Sequence, residues 1–273
     1  MALSFFTHYA LNQVDSGRFS SAAEAFRHCK RIGIDCGDLL GRLDEYPLHL
    51  HCELLRDSGI QPAVLIVCNA FADSNKKIAD AALATIQEKL DCMEKLGIPM
   101  LMLTPELPLL ETADARAEAM ERMICVYASV VAYAKQSGIT IVTENRFDAY
   151  RPDATMADMR KILDCVPGLG YVLDSGNFSG VGESAVEAYA LLKDRTVHMH
   201  CKDWAHAENG EFTAADQQRY TGVQTGSGCV PLRTLAAAMK REQYKGNYCF
   251  EHNSAFTGQE FDDSIRFMRE TFV

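Results

Sequence analysis

Four stretches in the second half of the chain end alike: Ile139-Thr-Ile-Val-Thr-Glu144, Tyr171-Val-Leu-Asp174, Thr196-Val-His-Met-His200 and Tyr248-Cys-Phe-Glu251. Each is a short β-favouring run that closes on a carboxylate or an imidazole. One fold gives such endings a common destination. In a (β/α)8 barrel the C-terminal ends of all the strands open into one mouth, where the chemistry takes place. Side chains far apart in sequence then converge. Three carboxylates gathered there would repel one another without a cation. With one, they and the imidazole make a hard, oxygen-rich site.

The rest of the chain fits the same pattern. Apolar runs suggest strands near 3–9, 32–36, 62–68, 98–104, 139–144, 171–174, 196–200 and 247–251. Amphipathic segments suggest helices near 20–31, 44–58, 75–96, 112–137, 154–165, 183–193, 231–243 and 259–271. Eight βα units in order predict an α/β fold, and 273 residues suit a single (β/α)8 TIM-barrel domain over 1–273. Gly33, Gly59, Gly97 and Gly138 fall where left-handed helix ends belong, and Thr112 and Asp153 are placed to cap the helices that follow them. Within 112–137 the residues Met120, Met123, Val126, Val130 and Tyr133 recur at helical spacing and predict a buried face. A doubly wound dinucleotide fold would want a glycine-rich loop after the first strand, and Thr7-His-Tyr-Ala-Leu-Asn-Gln13 has no glycine.

Composition narrows the function classes. The chain is 48% hydrophobic and 23% charged, with a formal net charge of −10, which excludes a broad basic face for nucleic acid. Ten cysteines form no C-x-x-C pair and read as small buried residues of a reducing compartment. No apolar run approaches the length of a membrane helix. The N-terminal Met-Ala-Leu-Ser-Phe-Phe lacks a basic export signature, so a cytoplasmic location with no membrane partner is expected. Between His200 and Pro231 the rhythm breaks; a polar loop of this length inside a compact domain is usually a lid or binding loop. It holds the only tryptophan, Trp204, and closes on Gly226-Ser-Gly228, a backbone turn.

Taken singly, each strand-end residue has an ordinary explanation. Glu144 could pair with Arg146, Asp174 could cap the Ser-Gly-Asn177 turn, and His200 could be a hydrogen-bonded core residue above its twin His198. Glu251 ends the last strand. Independent explanations at four consecutive strand ends are a poorer account than one metal ion held by Glu144, Asp174, His200 and Glu251. Such a donor set suits Mn²⁺ first, with Mg²⁺, Co²⁺ or Zn²⁺ as alternatives. His198, Lys202, Trp204, Asn145 and Asn177 are candidate substrate contacts, with Arg146, His206 and His8 behind them. Lys202 and Asp203 could pair as a clamp, and Trp204 could stack on a sugar or anchor its loop.

These pieces resemble the sugar phosphate isomerase/epimerase family with the xylose-isomerase-like barrel. The resemblance spans essentially the whole chain, and its specific motifs lie in 140–252. They are Thr143-Glu144-Asn145, Asp174-Ser-Gly-Asn177, His200-Cys-Lys-Asp203, Gly226-Ser-Gly228, and Tyr244-Lys-Gly246 followed by Glu251. Many members carry histidine where Asn177 stands; an amide there can hydrogen-bond but takes no proton at neutral pH. The resemblance implies Glu144 and Glu251 facing each other across a ketose as an acid/base pair. Proton abstraction beside the carbonyl would pass through a metal-stabilised enediolate. It also implies a small-molecule sugar or polyol substrate and a homo-oligomer, dimer or tetramer. The absence of an obvious Arg/Lys phosphate clamp favours an unphosphorylated sugar. Epimerisation and aldose–ketose isomerisation share that intermediate. A metal-dependent dehydratase of a keto-inositol or related polyol starts with the same step. A trinuclear-zinc endonuclease of the same superfamily would need further histidines after Val67-Cys-Asn-Ala-Phe71 and Leu103-Thr-Pro-Glu106, where there are none. A non-catalytic sugar-binding barrel that kept the metal site is the remaining alternative.

Overall fold

Parallel strands are buried on both faces and need helices between them, and the chain supplies helices in near-strict alternation. The computed structural model describes residues 1–252 and 258–273. The first half runs β1 (Leu3–Phe6), α1 (His8–Asp15), α2 (Ala22–Arg31), β2 (Cys36–Leu39), α3 (Leu48–Ser58), β3 (Gln61–Asn69), α4 (Lys76–Leu96), β4 (Met100–Pro105) and α5 (Ala113–Ala134). The second continues β5 (Thr140–Glu144), α6 (Met156–Cys165), β6 (Gly170–Asp174), α7 (Asn177–Gly180), α8 (Ala185–Leu192) and β7 (Thr196–Cys201). After three short strands, β8 (Trp204–His206), β9 (Phe212–Thr213) and β10 (Arg219–Gly222), come α9 (Leu232–Arg241), β11 (Asn247–Phe250) and α10 (Gln259–Phe272). The barrel closes in the order β1–β11–β7–β6–β5–β4–β3–β2, which is the expected (β/α)8 fold. No helix among the described residues is long and apolar enough to cross a membrane.

The local signals act as their chemistry requires. Gly59 and Gly97 end α3 and α4 in the left-handed region, with φ of 77° and 70°. The Thr112 side chain accepts from the N–H of Ala115 at 3.1 Å and starts α5. Asp153 does not cap α6. That role falls to Thr155, in a capping box with Asp158, while buried Asp153 takes both Nε and Nη2 of Arg151 at 2.9 and 3.0 Å. On α5 the buried stripe is Met120, Met123, Tyr127, Val130 and Ala134, and Tyr133 faces solvent. Four cysteines (Cys29, Cys52, Cys201 and Cys249) are buried as expected, but Cys68, Cys92, Cys125, Cys165 and Cys229 are exposed.

The second strand lies at Cys36–Leu39, later than the apolar run 32–36 suggests. Gly33 turns the chain with φ of 103°, and Ile34 folds back so that its N–H donates to Cys29 O at 3.1 Å. Pairing then sets Ser4 beside Cys36, Phe5 beside Gly37 and Phe6 beside Asp38. The register makes Asp38 an inward-facing, fully buried residue. The segment after Phe6 is not extended to residue 9 but turns into α1.

The long connection after β7 is ordered by one carboxylate. Asp203 accepts the backbone N–H groups of Trp204, Gly226, Gly228 and Val230 at 3.0, 2.9, 3.0 and 3.2 Å. No Lys202–Asp203 clamp forms; Lys202 points the other way. β8, β10 and β9 make a small antiparallel sheet within this connection.

Two outcomes follow from these contacts. A Cβ at Gly228 would collide with Asp203 Oδ1 and Trp204 O, so Gly228→Ala should lower the urea-unfolding free energy by about 1–3 kcal/mol. His51 on α3 is fully buried with neither ring nitrogen hydrogen-bonded, and burial, with His8 and Arg42 nearby, pushes its pKa down to about 4. The unfolded chain takes that proton near pH 6.5, so this contribution to stability is complete above pH 6.5 and is lost as pH falls towards 4. Between pH 7 and pH 4, His51→Leu should gain up to about 3 kcal/mol relative to the wild type, measured by urea unfolding at each pH.

Candidate metal centre

Strand β7 and the residue that follows it place three side chains in layers. With a side-chain period of two, His198, His200 and Lys202 all point inward, from the barrel interior up to the mouth, and all three are buried. The β6–β7 register sets Asp174 beside His200, and the β11–β7 register sets Cys249 beside His200, so Glu251 emerges just above. The Glu251 N–H donates to Cys201 O at 3.2 Å and fixes that end. Glu144 closes β5 on the next side.

The four residues named for a metal do meet. Their ligand atoms all lie within 4.8 Å of one another. His200 Nδ1 is 2.5 Å from Glu144 Oε1 and 3.0 Å from Glu251 Oε2. Lys202 Nζ is 2.6 Å from Glu251 Oε1 and 3.0 Å from Asp174 Oδ2. Asp174 Oδ1 accepts the N–H groups of Gly176 and Asn177, both at 2.7 Å, so its loop turns Oδ2 towards the cluster. Asp174 Oδ2 and Glu251 Oε2 are buried without a hydrogen bond. Each stands at ion-pair distance from a cationic group, at angles that do not make hydrogen bonds. Orphaned oxygens aimed at a common point, with one imidazole, are a donor set for a hard divalent ion. Donors about 2.0–2.2 Å from such an ion lie within roughly 4.4 Å of one another, close to the spread here.

Electrostatics tie the cluster together. Burial resists charge on Glu251, but Lys202 and His200 outweigh it and hold the carboxyl well below its usual range. Burial dominates at Asp174 and raises it, with Lys202 pulling the other way. Burial disfavours charge on Lys202 and His200 too, yet the carboxylates around them raise both. Lys202 is therefore an ammonium wedged between Asp174 and Glu251.

The candidate substrate contacts divide. Asn177 Oδ1 accepts from Lys202 Nζ at 3.2 Å, and its amide nitrogen donates to Asn145 O at 2.8 Å, so it steadies the lysine at the edge of the cluster. Asn145 itself is turned into the wall: Oδ1 accepts Tyr171 O–H at 2.6 Å and the Asp174 N–H at 2.9 Å. Trp204 is buried, its indole N–H donates to Gly176 O at 3.1 Å and Phe212 packs edge-on against it, so it anchors the loop rather than offering a stacking face. His198 lies a layer below the mouth with Nε2 2.7 Å from Asp38 Oδ2. His206 is exposed on β8 against Tyr220, outside the cluster. Arg146 reaches in from β5, with Nη1 3.6 Å from Glu144 Oε2, and His8 bonds Leu40 O at 3.1 Å. The sequence reading missed Asp38. An inward position two residues after Cys36 was its signal, hidden by the displaced second strand.

Residues 26–271 match the family model described as xylose isomerase-like TIM barrel. The chain belongs to that family. No curated protein sequence matches the chain. Among solved structures of the same fold is a D-psicose 3-epimerase with D-tagatose from Clostridium cellulolyticum H10, 14% identical, with a TM-score of 0.75 over 100% of this chain and 99% of that one. The IOLI protein with a binding zinc atom is 18% identical, with a TM-score of 0.75 over 99% and 96% of the two chains. A xylose isomerase-like TIM barrel protein from Mycobacterium smegmatis in complex with magnesium is 16% identical, with a TM-score of 0.68 over 92% and 87%. The likeness is one of fold.

In this xylose isomerase-like barrel, Glu251 shares the cluster with every other candidate ligand. Calorimetric titration with Mn²⁺ should therefore show one equivalent on the wild type. Glu251→Gln should cost more than the roughly 10–100-fold in affinity that a supporting residue commands.

Proposed function

We propose that the protein is a divalent-metal-dependent ketose epimerase or aldose–ketose isomerase, with Glu144 and Glu251 as its acid/base pair. One observation carries this reading. The two carboxylates flank His200 Nδ1, at 2.5 and 3.0 Å, and each keeps its second oxygen on a different cation: Glu144 Oε2 towards Arg146, Glu251 Oε1 on Lys202. Two carboxylates that reach one small site from different strands, β5 and β11, could move a proton on and off opposite faces of the same carbon.

A cation held by Glu144, Asp174, His200 and Glu251 would supply Lewis acidity for the carbonyl. The protein does the rest. One glutamate takes the proton from the carbon beside the carbonyl, and the electron pair moves onto the carbonyl oxygen to give an enediolate. Lys202 is held ionised by Asp174 and Glu251 and steadied by Asn177, so its ammonium can donate to that oxygen. The second glutamate returns a proton to the opposite face, which inverts the centre. Return of the proton to the former carbonyl carbon, with the hydroxyl proton of the adjacent carbon passing to the enediolate oxygen, gives the isomer. Lys202 and Arg146, the basic groups beside the cluster, already face carboxylates, which favours an unphosphorylated sugar or polyol. Epimerases share the fold and were solved with ketoses, which supports the substrate class. A lyase acting on a keto-inositol begins with the same abstraction, and the shared fold of the IOLI protein keeps that reading as the second one.

Incubation with ketohexoses in D₂O and Mn²⁺, followed by mass spectrometry and NMR, should show deuterium at the carbon next to the carbonyl together with a new epimer or aldose. Glu144→Gln and Glu251→Gln, each assayed at saturating Mn²⁺, should lower kcat by about 10²–10⁴-fold. Loss of water from a keto-inositol without a new sugar would favour the lyase. Absence of both exchange and elimination would count against the reaction class.

A further inference from the structure

Below the cluster lies a second group of buried polar atoms, which shares His200 with it. Asp38, His198, His200 and Cys249 also bring their ligand atoms within 4.8 Å of one another, and all four are buried. Asp38 is fully buried on β2, the strand two places round the barrel from β11. A buried carboxylate is costly unless donors surround it. Ser4 O–H donates to Oδ1 at 2.5 Å and His198 Nε2 lies 2.7 Å from Oδ2. That same Oδ2 stands 3.5 Å from His200 Nε2, which has no hydrogen-bond partner among the described residues. The His200 ring is held on two further sides. Phe6 meets it edge-on with ring centres 5.0 Å apart, and His198 crosses it at 86°.

We propose that Asp38 is a positioning residue for His200: from beneath the cluster it holds a proton on Nε2, so that when a metal ion takes the place of the proton between Nδ1 and Glu144, Nδ1 is the ring nitrogen left to face Glu144, Asp174 and Glu251. The inference rests on the metal reading above. A ligating imidazole needs one nitrogen free of its proton, and an acceptor behind the other nitrogen selects that tautomer. At 3.5 Å the Asp38 contact is longer than a hydrogen bond, so its pull on the ring is electrostatic. An alternative is a second metal held by Asp38, His198, His200 and Cys249. The donors argue against it: Asp38 is occupied by Ser4 and His198, and Cys249 Sγ is directed to Phe250 O at 3.5 Å.

The test reads the histidine directly. Unmodified protein labelled with ¹⁵N-histidine and loaded with Zn²⁺ should show His200 with Nε2 protonated and Nδ1 shifted by the metal, the signal being assigned by its loss in His200→Gln. Asp38→Asn, checked for folding by thermal unfolding, should bind Mn²⁺ about 10–100-fold more weakly with one equivalent still bound at saturation. Metal on Nε2, two equivalents per chain, or wild-type affinity in Asp38→Asn would overturn the role of Asp38 and leave the metal reading standing. No metal on the unmodified protein would remove both. If Asp38→Asn does not fold, the tautomer in the unmodified protein decides.

Discussion

Three carboxylates held within 4.8 Å of one another cannot all stay charged on their own. At a separation of 4 Å and an effective dielectric of about 20, each like-charged pair costs about 4 kcal/mol. Glu144 and Asp174 are buried and Glu251 nearly so, which removes the screening that water would give. The barrel meets this constraint with positive charge delivered from one strand. β7 presents His200 among the carboxylates and, one layer higher, Lys202 between Asp174 and Glu251. The rest of the site follows from keeping those two groups where they are. A divalent cation would complete the compensation, and a reaction that builds negative charge on substrate oxygen would benefit from the same positive potential.

The supporting residues act on that arrangement from the wall. Asn145 takes the Tyr171 hydroxyl and the Asp174 N–H, which ties the end of β5 to β6. The loop after Asp174 then passes between Lys202 and Trp204. A Cβ at Gly176 would sit 2.6 Å from Trp204 Nε1 and 2.9 Å from the Lys202 side chain, so only glycine lets the loop through. Trp204 holds the loop by its indole N–H, and Asp203 gathers the far end of the same connection through four backbone N–H groups. Adjacent residues on one segment thus serve opposite sides: Lys202 faces the carboxylate cluster and Asp203 faces the loop.

Much of this was legible in the sequence, and the misses have physical reasons. The four candidate ligands could be grouped from the sequence because barrel geometry turns four unrelated strand ends into neighbours, and the structure does bring them together. The second strand was misplaced because Ile32–Cys36 is as apolar as a strand, while its glycine and the fold-back of Ile34 make it a helix exit. That displacement hid Asp38. The Lys202–Asp203 pairing was wrong because neighbours on an extended segment point to opposite faces. Trp204, Asn145 and His198 have the right chemistry for substrate, but partners from distant elements turn them inward, and no local pattern records that. The three-stranded sheet at 204–222 escaped because strands of two to four residues are too short to show a period.

The most direct test of the account is a crystal structure of the protein grown with Mn²⁺, with anomalous data collected to locate the ion. The account predicts a single strong peak bounded by Glu144, Asp174, His200 Nδ1 and Glu251, with Lys202 Nζ beside it. No peak in the barrel mouth, or a peak held by other residues, would contradict the claim that these four strand ends exist to hold a cation.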